Sequence, residues 1–293
     1  MPAAISALDV VQRVLAEPDT TRKYPSLPMT SAKLQMEFHK ILSVFLLFTL
    51  LTQDSPAETQ SRNQRYEPAY QRRTFNGAEG VPLYYGWLAP VKVKPGEKYP
   101  LVICLHDAFG RTRAGSVLAR ESMRERYPAF VMVPEADRPF TWAKADVIRD
   151  GGQPSQLPQK LPLLIESLRS ILRKEAIDPT RIYITGQSMG GVGVWGAISH
   201  HPDLFAAGIP VCGLWRIEEV PNLLSVPVWA FHGEQDKTIP AHFTRDITAA
   251  MSKGGGTAKY TEYPGVGHES WTKAYDQPEL WRWLFAQRKR RSP

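Results

Sequence analysis

Ser188 stands between two glycines in the stretch Gly186-Gln187-Ser188-Met189-Gly190, directly after the β-forming run Arg181-Ile182-Tyr183-Ile184-Thr185. A serine hydroxyl is a weak nucleophile at neutral pH. It attacks a carbonyl carbon only when a base takes its proton and an acid orients that base. Two downstream segments carry residues of those types. Asp236 closes Gly233-Glu234-Gln235-Asp236, after an apolar run ending at Phe231, and His268 closes Gly265-Val266-Gly267-His268, after a run ending at Tyr263. Glu234 competes with Asp236 as the acid because it lies in the same loop. The plainer reading of Ser188 is a helix N-cap.

The surroundings of Ser188 favour the chemical reading. Gly186 and Gly190 have no Cβ, so a strand and a helix can close around a residue in a strained backbone conformation. The apolar segment 192–198 follows as a helix, and Gly191 and Gly193 suit one packed tightly against a sheet. Strand, tight turn and helix together make the setting of a nucleophile exposed at a sheet end.

The elements that must carry these groups are legible in outline. Residues 72–75 and 81–88 read as an antiparallel pair joined through Asn76-Gly77. Residues 99–105 and 130–134 are continuously apolar, as in strands covered on both faces, with a helical segment at 114–126 between them. Residues 161–172 have helical spacing and end before the break Asp178-Pro179. After the helix that follows Ser188, strands at 206–211, 226–231 and 259–263 alternate with helices at 242–251 and 278–287. This alternation predicts an α/β fold with a mostly parallel central sheet and helices on both faces. Functional groups in such sheets collect at the carboxyl ends of strands.

Composition excludes several classes. The chain has 293 residues, 43% of them hydrophobic, enough for one α/β domain and a tail. The net charge of +7 is dispersed, apart from Arg288-Lys289-Arg290-Arg291, and no nucleic-acid motif accompanies it. That cluster reads as a solvated tail, residues 288–293. Cys104 and Cys212 cannot make a disulfide framework and read as buried thiols. The histidines lack metal-ligand spacing, so no metal and no other cofactor is expected.

The N-terminal part reads as targeting. Residues 41–51 (ILSVFLLFTLL) are apolar but shorter than the ~20 residues a spanning helix needs. They match the h-region of a secretory signal, with Ser55 and Ala57 at the small positions of a cleavage site. Residues 1–35 upstream are too long for an ordinary n-region, so residues 1–57 read as an over-extended start plus a signal whose start is Met36. An uncleaved hydrophobic helix is the competing reading. Residues 58–69 read as a flexible leader, and a secreted or periplasmic location follows.

From about residue 70 to 287 the sequence resembles an α/β-hydrolase of the secreted esterase type. Dienelactone hydrolases, phospholipase/carboxylesterases and polyhydroxybutyrate depolymerase-like esterases are its near groups, and the prolyl oligopeptidase catalytic domain is a cousin. The resemblance rests on the Ser188 elbow, on His232-Gly233-Glu234-Gln235-Asp236 for the family's HG-x-x-D, and on Gly265-Val266-Gly267-His268 for its G-x-G-H. It implies Ser188 as nucleophile, His268 as base and Asp236 as the acid that holds the imidazole. His232 then supports the turn that bears Asp236, and His106 supports the oxyanion loop. His200 and His201 read as surface residues. The oxyanion hole is expected from the backbone N–H groups of Met189 and Ala108. Where relatives have His-Gly, this chain has His106-Asp107-Ala108, so the Asp107 carboxylate must point away from the hole.

Substrate contacts are less specific. Phe140 and Trp142 either line a pocket or anchor their loop, and Trp271 either borders the site or packs its helix. Only 13 residues separate Gly213 from Pro227, so no large cap is expected there. The resemblance implies hydrolysis of small-molecule or polymer-borne carboxylic esters, with no nucleic acid and no stable membrane span. A serine peptidase of the prolyl oligopeptidase type, for which the chain leaves no room for an N-terminal gating domain, and a non-catalytic hydrolase-fold binding protein are the alternatives.

Overall fold

The computed structural model describes residues 67–78, 80–136, 141–143 and 159–289. The proposed signal at 41–51, most of the leader and Phe140 lie outside the described residues. Eight strands form one sheet: β1 (Gln71–Asn76), β2 (Pro82–Leu88), β3 (Tyr99–Leu105), β4 (Phe130–Pro134), β5 (Ile177–Gln187), β6 (Ala207–Val211), β7 (Val228–Gly233) and β8 (Ala258–Tyr263). Their order is β1-β2-β4-β3-β5-β6-β7-β8. The first two strands are antiparallel, and β4 to β8 run parallel in the body of the sheet.

Alternation along the strands explains why helices cover both faces. In β3, Leu101, Ile103 and Leu105 enter one core while Val102 and Cys104 enter the other. The same split in β5 sends Ile182 and Ile184 to one side and Tyr183 to the other. Helices α3 (Leu161–Leu172), α4 (Met189–His200), α5 (Val220–Leu223) and α6 (His242–Lys253) supply apolar residues to the first core. Helices α1 (Arg113–Leu118), α7 (Trp271–Asp276) and α8 (Pro278–Ala286) supply the second, with α2 (Glu121–Arg126) following α1. Neither core would be shielded from water by the sheet alone.

Three local differences from the sequence reading have physical causes. The helical segment expected at 114–126 is two short helices, because Arg120 takes an extended conformation (ψ 137°) and restarts the chain. Strand β5 begins at Ile177 rather than 181. Asp178 accepts hydrogen bonds from the Thr180 N–H and hydroxyl, which lets the strand pass the proline. Arg288 and Lys289 are docked rather than free. Arg288 Nη1 lies 3.2 Å from Asp178 Oδ2, and the Lys289 N–H donates to the Thr180 carbonyl at 2.9 Å. Helix α7 is the helix that Trp271 packs, and the sequence sets no bounds for it. The connection after β6 holds a 3-10 turn (Ile217–Glu219) and the one-turn α5, and no inserted cap.

Candidate active site

Ser188 sits between β5 and α4 with φ 53° and ψ −119°, a backbone region that costs a non-glycine residue ~1–3 kcal/mol. Its surroundings leave it no alternative. The Ser188 N–H donates to the Val211 carbonyl at 3.0 Å, and the Ser188 carbonyl accepts from the Val192 N–H at 3.1 Å. A Cβ on Gly186 would lie 2.5 Å from the Gly190 carbonyl oxygen, and one on Gly190 would lie 2.3 Å from that of Leu105. Both glycines are therefore required by backbone-to-backbone packing.

The three side chains named from the sequence form one hydrogen-bonded chain. Ser188 Oγ donates to His268 Nε2 at 2.9 Å, and His268 Nδ1 donates to Asp236 Oδ2 at 2.7 Å. Asp236 is buried, and its Oδ1 accepts from the N–H groups of Thr238 (2.8 Å) and Ile239 (2.9 Å). Burial alone would raise the Asp236 carboxyl, but hydrogen bonds from His232, His268 and the Ile239 N–H outweigh it. They hold the group well below the usual carboxylate range. The acid and base loops are also tied through backbone: the Glu234 N–H donates to Tyr263 at 3.1 Å and the Gln235 N–H to Val266 at 2.9 Å.

Glu234, the competing acid, does not reach His268. Its exposed carboxylate accepts from the Gly265 N–H at 2.9 Å and braces the base loop. His106 is not a second base. The Ala136 N–H donates to its Nε2 at 2.9 Å, so its Nδ1 carries the proton and donates to the Asp107 carbonyl at 2.6 Å. His200 is exposed beside Glu219, and His201 is half-buried with burial lowering its pKa.

The loop expected to supply one oxyanion N–H, residues 106–111, follows β3. Asp107 is buried and turned into its own loop, where Oδ1 accepts from the N–H groups of Phe109 (2.8 Å) and Arg111 (3.1 Å). Its Oδ2 takes Arg111 Nε at 3.2 Å and Gln187 Nε2 at 3.3 Å. Asp107 thus shapes the turn on which Ala108 is exposed, with its own charge directed elsewhere. Met189 begins α4, where the first N–H groups have no intrahelical acceptor and the helix end favours negative charge.

An open cleft of about 550 Å³ walled by Tyr70, Phe109, Arg111, Gln187, Glu269 and Trp271 is lined by the chain neighbours of Ser188 and His268, Gln187 and Glu269, and not by Ser188 or His268 themselves. Trp271 and His268 pack edge to face, with centroids 5.4 Å apart and planes at 86°. Phe109, which the sequence reading overlooked, is 75% exposed at the cleft. Its signal in the sequence is an aromatic residue in a glycine-bounded loop after a buried strand. Trp142 needs correction as a pocket residue. It is fully buried against Gly193, and its indole N–H donates to the His106 carbonyl at 3.0 Å, so it anchors its loop to the core.

Cys104 and Cys212 are buried, and burial pushes both thiols well above their ordinary range. Cys212 also has a positive φ of 41°, and its sulfur, an Asp236 oxygen and a His268 nitrogen lie within 4.8 Å of one another. The Asp236 and His268 atoms are already committed to each other, and a thiol held protonated is a poor metal ligand.

Comparison with known proteins places this geometry. The dienelactone hydrolase family matches residues 88–278. An uncharacterized secreted protein of Arthroderma benhamiae is 23% identical over 293 residues, covering 81% of this chain and 29% of that one. Poly(3-hydroxyalkanoate) depolymerase C of Paucimonas lemoignei is 24% identical over 121 residues, covering 39% of this chain and 28% of that one. The chain spans less than a third of the length of these two relatives. The crystal structure of a thermostable esterase is 34% identical and superposes with a TM-score of 0.68, covering 75% of this chain and 63% of that chain. A family match that takes in the sheet from the end of β2 to the last helices, on a sheet of this order, has one reading: the chain has the α/β-hydrolase fold and belongs to the dienelactone hydrolase family.

Proposed function

We propose that the chain is a serine hydrolase of carboxylic esters, acting through Ser188, His268 and Asp236 and an acyl-enzyme intermediate. The observation that carries this reading is the unbroken chain from Ser188 Oγ through His268 to Asp236, with bonds of 2.9 and 2.7 Å, beside the start of α4. Ser188 Oγ attacks the acyl carbonyl carbon while its proton passes to His268 Nε2. The tetrahedral oxyanion is received by the N–H groups of Met189 and Ala108. Collapse breaks the bond to the leaving alkoxide, which takes the proton from His268. A water molecule then gives a proton to His268 as its oxygen attacks the acyl carbon; collapse breaks the bond to Ser188 Oγ, which takes that proton back from His268 as the carboxylic acid leaves.

Esters are favoured over amides because an alkoxide leaves far more readily than an unprotonated amine. The likeness to a thermostable esterase and to a poly(3-hydroxyalkanoate) depolymerase supports ester bonds as the class. The open cleft with Phe109 and Trp271 at its walls suits small or polymer-borne esters. The test is hydrolysis of p-nitrophenyl esters, unactivated alkyl esters and peptide amides by the wild type and Ser188→Ala. The reading expects ester turnover that the variant loses by about 10⁶-fold in kcat. A higher kcat/KM for an unactivated peptide than for the best unactivated ester would replace it with a peptidase.

Export is part of the same proposal. The apolar block at 41–51 with small residues at 55 and 57 supports a cleaved signal, and the fungal relative's name describes a secreted protein. Among the described residues no helix is long and apolar enough to cross a membrane. N-terminal sequencing from the native host should find Glu58, and a mature chain starting at residue 1 or 2 would refute the signal.

A further inference from the structure

Two imidazoles meet at one carboxylate oxygen. Asp236 Oδ2 lies 2.7 Å from His268 Nδ1 and 3.1 Å from His232 Nε2. His232 is fully buried near the end of β7, and its hydrogen bonds can be assigned atom by atom. The Gly213 carbonyl only accepts, and Thr244 Oγ1 lies 2.9 Å from it, so the single hydroxyl proton of Thr244 is directed there. Thr244 Oγ1 also lies 2.8 Å from His232 Nδ1 and must accept, so Nδ1 carries a proton. On the far side of the ring, Nε2 faces the Ile239 carbonyl at 2.8 Å as well as Asp236 Oδ2. Both are acceptors. A bare Nε2 would set its lone pair against theirs inside the protein, a costly arrangement for a buried polar group. Turning the ring over would put carbon atoms against all of these partners.

We infer that His232 is a buried imidazolium paired with Asp236, and that as a positioning residue it sets the pH at which His268 becomes a free base. The inference rests on the reading of Ser188, His268 and Asp236 given above. A lone carboxylate on His268 Nδ1 would stabilise the protonated form of His268. A second cation on the same oxygen offsets much of that attraction and repels a charge on His268, which keeps His268 available as a base at lower pH. Glu262 and Cys212, the titratable groups nearest His232 along β8 and β6, do not reverse this sign. Glu262, the register partner of His232 on β8, is bound by Arg245 from α6 and by Tyr260 on its own strand, and Arg245 is the main cause of its lowered carboxyl. Cys212, at the end of β6, remains a neutral thiol.

The test pairs kinetics with a direct reading of the protons. His232→Asn and His232→Gln keep an N–H donor near Asp236 but remove the charge. The acid limb of kcat/KM for p-nitrophenyl acetate should move to higher pH by about one unit, with the plateau lowered by less than ~10-fold. An active variant whose acid limb stays in place, or moves to lower pH, overturns the inference. Histidine ¹⁵N NMR of the wild-type protein decides the matter even if the variants do not fold. Both ring nitrogens of His232 should be of the protonated type at pH 8, and one bare nitrogen would overturn the assignment. That measurement needs no ester turnover, so its failure is separable from failure of the esterase reading.

Discussion

Gly190 and Leu105 touch backbone to backbone: a Cβ added at Gly190 would stand 2.3 Å from the Leu105 carbonyl oxygen and 2.9 Å from that of His106. The turn that holds Ser188 and the strand that feeds the oxyanion loop are therefore fixed against each other without side chains. Gly190→Ala should force them apart, lowering stability by about 2 kcal/mol or more and reducing kcat. Gly267→Ala is the control, since the nearest atom to its Cβ is 4.0 Å away. Urea unfolding of both variants checks this, and equal stability would contradict it.

Asp236 is the proposed acid because it is the carboxylate that His268 Nδ1 reaches. Asp236→Asn keeps the packing but favours the wrong tautomer of His268, and should lower kcat by up to ~10⁴-fold. Glu234→Gln removes the charge on an exposed loop but keeps a carbonyl oxygen that can accept from the Gly265 N–H, and should change kcat only a few-fold. Steady-state kinetics rank the two, and a reversed order would make Glu234 the acid.

Asp107 should act through loop shape. Asp107→Ala removes the acceptor of two N–H groups and of the Arg111 and Gln187 side chains. The N–H of Ala108 would lose its aim, so kcat should fall by ~10-fold or more while KM changes little. A fall confined to KM would instead put the loop in substrate binding.

Acid stability should depend on Asp178. Burial would raise this carboxyl, but the Thr180 hydroxyl and N–H and Arg181 hold it at about 2. A carboxyl depressed in the folded state stabilises fully above its unfolded value near 3.8, and that contribution is lost as pH falls through about 2. Asp178→Asn should cost ~2 kcal/mol at neutral pH and lose less stability than the wild type between pH 4 and 2. Chemical denaturation across that range checks the sign.

The parts most legible in the sequence were those with local causes. The apolar runs of β3, β4 and β7 declare buried strands, and Ser188, Asp236 and His268 each follow a strand end within a glycine-marked turn. What escaped depended on contacts between distant segments. The sequence leaves Trp142 open between pocket wall and loop anchor, and the approach of Gly193 and His106 decides for the anchor. The break at Arg120 carries no proline or glycine to announce it. His232 read as support for its turn, but its second proton follows from Thr244 and Gly213, which lie on other elements.

The central claim is that Ser188 is the nucleophile. Its most direct test is peptide mass spectrometry of the intact protein after treatment with a fluorophosphonate, which phosphonylates an activated serine and mimics the tetrahedral intermediate. The account predicts a single adduct on the peptide bearing Ser188, formed in step with loss of ester hydrolysis. An adduct on a different residue, or full ester activity with Ser188 unlabelled, would contradict it.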